Sequence, residues 1–198
     1  MTLRGVECLR RADLVLYDYL VNPLTLAHAP KAAALECLGR HGQGRIMLQD
    51  EVNERMVAAA QDGQTVARLK GGDPLIFAHA AEECAALSAA GIAFEIVPGI
   101  TAALAAASYA GVPLTGRHLS SALALVAGHE DSDKESPVID YASLATFPGT
   151  LVFYMGVTTV ASWSGALLRG GMPRTTPVAV VRRCTWPCLL YTSDAADE

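Results

Sequence analysis

No stretch of this chain is apolar for long enough to cross a membrane as a helix. Spanning takes about 18 consecutive apolar residues, and polar or charged residues interrupt every run before that. Charge is sparse too: 18% of residues are Asp, Glu, Lys or Arg, with a formal net charge of −5. That balance argues against a general nucleic-acid binder but leaves room for local arginines to meet an anionic ligand. The five cysteines (Cys8, Cys37, Cys84, Cys184, Cys188) are odd in number and contain no CxxC pair, which argues against a disulfide framework or structural zinc and fits a reducing cytoplasm. The N-terminus lacks the basic, apolar and small-residue order of a secretory signal. Also absent are a GxxxxGK[ST] phosphate loop, a strand-linked GxGxxG and an HExxH helix. The segment "SWSGA" (162–166) is not a GxSxG nucleophile elbow. His28, His41, His79, His118 and His129 lack metal-ligand spacing, so no metal is expected.

What is present is apolar and small. Hydrophobic residues make up 52% of the 198, with alanine supplying much of the surplus, as in a tightly packed protein of one large or two small domains. The pattern alternates. Residues 3–11 read as a helix, "LVLY" (14–17) as a strand ending at Asp18, and "ALECL" (34–38) as another short strand. "EVNERMVAAAQDG" (51–63) places Val52, Met56 and Val57 near one helical face, with Asp50 as N-cap and Gly63 as the stop. "TVARL" (65–69) reads as a strand, "AAEECAALSAAG" (80–91) as a helix, "FEIV" (94–97) as a strand and "TAALAAASYAG" (101–111) as a helix. Apolar strands alternating with helices predict an α/β fold with a parallel sheet covered on both faces.

In such a sheet, ligands bind beyond the carboxyl ends of the strands. Asp18, the Gly71-Gly72-Asp73 turn and the Pro98-Gly99-Ile100-Thr101 turn all fall at such ends and are expected to share one rim. Each also has a purely structural reading, as a turn residue, a chain reversal or a helix cap. With no phosphate cradle, the ligand expected there is one that needs close backbone approach, and a nucleoside with an amino-acid tail suits.

Six segments in order, "VLYDYLV", "QDEVNERMV", "VARLKGGDPLIF", "FEIVPGITAALAAASYAGVPLT", "LVAGHE" and "TLVFYMGV", resemble the tetrapyrrole methylase family, and within it the uroporphyrinogen-III C-methyltransferases. The resemblance runs from about residue 2 to about residue 187. It implies two α/β domains with S-adenosylmethionine in the cleft between them, with a boundary near Gly111-Val112-Pro113 that divides 1–112 from 113–187. The implied activity is methylation of two pyrrole carbons of uroporphyrinogen III to give precorrin-2, for sirohaem and cobalamin synthesis, by a cytoplasmic homodimer. Carried over by motif, Gly71, Gly72, Asp73, Ile76, Thr101, Ala102, Met155 and Ala179 would hold the cofactor. Asp18 would be the base and Arg40 would stand at a second catalytic position, while Arg45 and Arg117, with Arg55 as a further candidate, would meet the substrate carboxylates. Another precorrin methyltransferase, or a non-catalytic S-adenosylmethionine-binding module, is the alternative.

The chain departs from the family's pattern at several points. Arg40 stands where the family commonly has lysine; it keeps the charge but cannot easily donate a proton. Gly116 replaces a histidine, and "FAHAAEE" (77–83) has His79 for an arginine and Ala80-Ala81 for a Gly-Gly, which should stiffen the start of that helix. Arg182-Arg183-Cys184-Thr185 departs from the family's "ERGT". The family's opening strand and its glycine-rich loop are expected before Met1, leaving a slot in the sheet unfilled. "CLLYTSDAADE" (188–198) reads as an in-frame sequencing adaptor, so native sequence is expected to stop near Pro187.

Overall fold

The computed structural model describes residues 1–39, 46–129, 139–182, 184–185 and 190–192. The chain divides into two compact units, Met1–Ala102 and Ala103–Glu198.

The first unit is built around a parallel sheet of β1 (Leu14–Tyr17), β2 (Ala34–Cys37) and β3 (Val66–Leu69), in the order β2-β1-β3. Leu14, Val15, Leu16 and Tyr17 pair with 34–37 on one side and with 66–69 on the other. A central parallel strand is buried on both faces, which is why "LVLY" carries no polar alternation. Its side chains nonetheless divide by the two-residue period of a strand. Leu14 and Leu16 join Leu38 and the Val52, Met56 and Ala59 face of α2 (Gln49–Gln61), whereas Val15 points to Leu9 and Ala12 of the α1 side (α1, Leu3–Leu9). Burying one such aliphatic side chain contributes about 1.5–3 kcal/mol. After β3 the chain turns through residues 70–79 into α3 (Ala80–Ala89).

Two local expectations need correction. Asp50 does not cap α2: the helix begins two residues earlier than expected, at Gln49, and its N-cap position is Leu48, whose N–H donates to Glu51 Oε2 at 2.8 Å. Asp50 and Glu51 instead occupy the first turn, where carboxylates meet the positive end of the helix dipole. Second, "FEIV" (94–97) is not a strand among the described residues. Aromatic and β-branched residues favour extended backbone, but a strand needs a hydrogen-bonded neighbour, and β3, the edge of the sheet, does not pair with it. Side chains tie this segment down: Arg4 Nη2 meets Glu95 Oε1 at 2.6 Å, and Thr2 Oγ1 donates to the Pro98 carbonyl at 3.2 Å.

α4 (Ala102–Ala110) leads into the second unit, where β4 (Leu123–Ala127) and β5 (Thr150–Tyr154) pair in parallel. Between them lies α5 (Tyr141–Ala145), capped by Asp140, and after them α6 (Val160–Arg169), whose Trp163 ring stacks on Phe153 at 4.2 Å. β6 (Val180–Arg182) pairs antiparallel with β7 (Leu190–Thr192) in a separate two-stranded ladder.

Candidate functional site

The rim at the carboxyl ends of β1 and β3 is assembled largely by backbone. Gly72 has φ +83°, a left-handed conformation that favours glycine. It lies against the following turn: a Cβ there would sit 3.5 Å from Ala102 N and 3.7 Å from Thr101 Cα. Gly99 is tighter still. A Cβ on it would run into the Gly72 carbonyl, 3.0 Å from its carbon and 3.1 Å from Asp73 Cα. Asp73 fastens the two turns: Oδ2 accepts from Gly99 N–H at 2.9 Å, and Oδ1 accepts from Leu75 N–H at 2.9 Å. Ile76 N–H closes the same turn on the Asp73 carbonyl at 3.2 Å. Gly71 lies beside Leu20, in the loop that follows Asp18. The structure thus brings together the Asp18 loop, Gly71-Gly72-Asp73-Ile76 and Thr101-Ala102.

The outward side of these turns is apolar and bare. Gly71 and Gly72 are exposed, as are Leu20, Leu75, Phe77 and Ile100 on the same loops. Large apolar side chains left in water around side-chain-free backbone suit an organic ligand of mixed polarity. Phe77 and His79 take positive φ (51° and 55°) without being glycine, so this turn also holds strained backbone, a feature that clusters at ligand-binding sites.

Asp18 does not stand alone. Its Oδ1 accepts from Arg68 Nη2 at 2.6 Å, and Arg68 Nε donates to Glu83 Oε1 at 2.9 Å. Lys70 Nζ meets the same Glu83 oxygen at 2.7 Å, and both of those side chains are almost fully buried, at 7% and 6% exposure. Burial is the main reason the Lys70 ammonium has its pKa pushed below the ordinary lysine value, with the Arg68 charge adding to the effect. The sequence reading missed Arg68, Lys70 and Glu83. One clue was available: Arg68 stands inside a strand otherwise read as apolar and Lys70 follows two residues on, just past its end, so the strand period puts them on one face, and buried cations demand acid partners. Glu83, inside the alanine-rich α3, is that partner.

The remaining candidates fall elsewhere. Met155, at the end of β5, is exposed and has φ +56°. Its turn is held by Gly128 N–H donating to the Tyr154 carbonyl at 2.6 Å and by Trp163 Nε1 donating to the Gly156 carbonyl at 2.9 Å. Ala179 is exposed immediately before β6. Arg117 is exposed on the tight turn closed by the Gly116–Ser120 bridge. Arg55 is engaged in an ion pair with Glu36 at 3.0 Å. Arg40 and Arg45 lie outside the described residues. Among the described residues no cluster of three His, Cys, Asp or Glu side chains is placed to hold a metal ion, and no helix is long and apolar enough to cross a membrane.

Comparison with known proteins sets this rim in context. The family model described as Tetrapyrrole (Corrin/Porphyrin) Methylases matches residues 1–189. A siroheme synthase of Zymomonas mobilis is 44% identical over 187 residues, which is 94% of this chain and 39% of the relative. A siroheme synthase of Sodalis glossinidius is 43% identical over 185 residues, again 39% of its length. The chain therefore spans about two-fifths of the curated relatives it matches. Among solved structures, a uroporphyrin-III C-methyl transferase of Thermus thermophilus complexed with S-adenyl homocysteine superposes with TM-score 0.80 at 33% identity, covering 97% of this chain and 80% of that one. A cobalt precorrin-4 methyltransferase, CbiF, superposes with TM-score 0.83 at 27% identity, covering 97% and 78%.

Proposed function

Because the chain belongs to the tetrapyrrole (corrin/porphyrin) methylase family, we propose that it transfers methyl groups from S-adenosylmethionine to two pyrrole carbons of uroporphyrinogen III, giving precorrin-2. The observation that carries this reading is the rim of the first unit. It combines bare glycine backbone, exposed apolar side chains and, at its edge, a carboxylate held by an arginine. Those residues fit a nucleoside with an amino-acid tail. Gly71 and Gly72 offer backbone groups without side-chain obstruction, Ile76, Thr101 and Ala102 flank them, and the apolar loop residues cover the less polar parts. Both Asp73 oxygens accept backbone N–H groups of the turns, so we assign Asp73 the task of shaping the pocket wall. For Met155 and Ala179 the assignment rests on their motifs.

When bound, S-adenosylmethionine supplies an electrophilic methyl on a sulfonium, whose displacement loses charge. The chain's part is alignment, which removes translational and rotational freedom before reaction, together with proton management at the acceptor. A pyrrole carbon becomes more nucleophilic as its N–H proton is withdrawn, and Asp18 is the carboxylate we assign to hold that proton. Arg40 keeps a positive charge at its position but stays protonated, so we assign it to orient substrate. Arg45 and Arg117 are proposed to meet substrate carboxylates, an interaction the guanidinium fork suits. Assembly as a homodimer belongs to the same proposal and is checked by sedimentation velocity.

A direct test offers labelled S-adenosylmethionine together with either uroporphyrinogen III or a cobalt precorrin, anaerobically, to this chain and to a version extended at both ends from source DNA. Label in the first acceptor supports the reading. Label confined to the second moves the activity to another precorrin. Retention of intact labelled S-adenosylmethionine with no labelled tetrapyrrole leaves a binding module.

A further inference from the structure

Every nitrogen of the Arg68 guanidinium is engaged. Nη2 donates to Asp18 Oδ1 at 2.6 Å, Nε to Glu83 Oε1 at 2.9 Å, and Nη1 to the carbonyls of Leu69 at 3.1 Å and Leu16 at 3.5 Å. A planar fork bonded on three sides cannot follow one partner without releasing another. Arg68 is 13% exposed and Asp18 34%, so the arginine is fixed inside while the carboxylate it holds still reaches the rim. The register explains why they meet. Leu16 pairs with Arg68 across β1 and β3, and Asp18, two residues on, returns to the face that Leu16 and Arg68 share.

Glu83 is the anchor behind this pair. Its Oε1 accepts from Arg68, from Lys70 Nζ at 2.7 Å and from Gln49 Nε2 of α2 at 3.4 Å. Two cations and two carboxylates balance, as partly buried charges must. Lys70 immediately precedes the 71–79 turn and Glu83 lies in the first turns of the helix that follows it, so their ion pair also fastens the two ends of that turn to each other.

We propose that Arg68 is a positioning residue for the reaction: locked on Glu83, it sets the place and orientation of the Asp18 carboxylate, while Lys70 and Glu83 hold the glycine turn in register with it. This rests on the assignment of Asp18 as the proton-holding group. One anchor then fixes both the acceptor-side carboxylate and the backbone proposed for the methyl donor. Charge balance alone would not require the donor to reach Asp18, which is the most exposed of the four groups.

The test is a double-substitution cycle on the end-extended chain, measuring kcat for methyl transfer to uroporphyrinogen III and, separately, the affinity for S-adenosylhomocysteine. Arg68→Met should lower kcat about 10²-fold, the scale of an ångström of misplacement, while S-adenosylhomocysteine affinity stays within about threefold. Arg68→Lys, which keeps the charge without the fork, should fall between. The Arg68→Met/Asp18→Asn double form should lose no more than Asp18→Asn alone, because the arginine acts through the aspartate. Losses that multiply in the double form, an unchanged kcat, or a kcat that falls only in step with folded content by circular dichroism would overturn the proposal. If Arg68→Met does not fold, Arg68→Lys with Asp18→Asn completes the same cycle. Failure of the functional reading looks different: the unsubstituted extended chain itself moves no methyl, and the inference falls with its premise.

Discussion

Gly99→Ala is the smallest change expected to open the rim. The added methyl has no room: it meets the Gly72 carbonyl and lies 3.0 Å from Gly72 C and 3.1 Å from Asp73 Cα, all of it backbone that cannot rotate away. Ordinary contact begins near 3.4 Å, so the 98–101 turn must move off the 71–73 turn. The bond from Gly99 N–H to Asp73 Oδ2, 2.9 Å long, lengthens or breaks with it. Overpacking of this kind costs about 1–3 kcal/mol, and a hydrogen bond to a charged group contributes about 1.5–3 kcal/mol. The two overlap because one displacement causes both, giving roughly 3 kcal/mol for the substitution. For a unit of about 100 residues that lowers the midpoint by on the order of 10 °C or more. Thermal unfolding followed by circular dichroism measures it. Gly71→Ala is the control, since its Cβ would find only Leu20 atoms, at 3.9–4.0 Å. S-adenosylhomocysteine binding by calorimetry should weaken in Gly99→Ala, because the displaced turns carry the proposed contacts. Equal stability of the two variants, with binding intact in Gly99→Ala, would refute the claim that close contact of these turns builds the site.

Three further outcomes are expected. Met155→Gly relieves a positive φ on a non-glycine residue, so stability should rise by about 1 kcal/mol while S-adenosylmethionine binding weakens; urea unfolding and calorimetry read the two separately. Leu16→Ala removes a fully buried side chain from the centre of the sheet and should cost about 2–5 kcal/mol in urea unfolding. Lys70 carries a pKa depressed by burial, so in the alkaline window below 10.5 the unfolded chain binds more protons at this position than the native one. Its contribution to stability should therefore grow as pH rises through that window and shrink as pH falls. The stability of the native chain minus that of Lys70→Met should increase over the window, and a flat difference would contradict it.

How much of this was legible in the sequence differs between backbone and side chains. "LVLY" and "TVARL" announced strands because short, mostly apolar runs bounded by turn residues fit a sheet, and α2 followed from its helical period. The rim was legible for the same reason: strand ends share an edge whatever their long-range contacts. "FEIV" misled because propensity describes one segment and pairing takes two. Asp50 misled because a preferred cap type lost to a helix beginning at Gln49, where Glu51 supplies the bond to Leu48 N–H. The Asp18–Arg68–Glu83–Lys70 cluster joins residues up to 65 positions apart, and local pattern has no access to such a partner. Its trace was Arg68 inside a mostly apolar strand with Lys70 two residues on, just past the end of β3. The antiparallel β6–β7 ladder was not read as strands at all, since each partner is three residues long and the second lies in the segment set aside as a tail.

Counting the methyl groups that reach a tetrapyrrole decides whether this chain is a methyltransferase of that class. The end-extended chain would be incubated anaerobically with uroporphyrinogen III and labelled S-adenosylmethionine, and the product analysed by mass spectrometry. Two labelled methyls per tetrapyrrole are expected, with a matching release of S-adenosylhomocysteine. Unmodified uroporphyrinogen III at the end of the incubation, with S-adenosylmethionine unconsumed and bound to the folded protein, would overturn this.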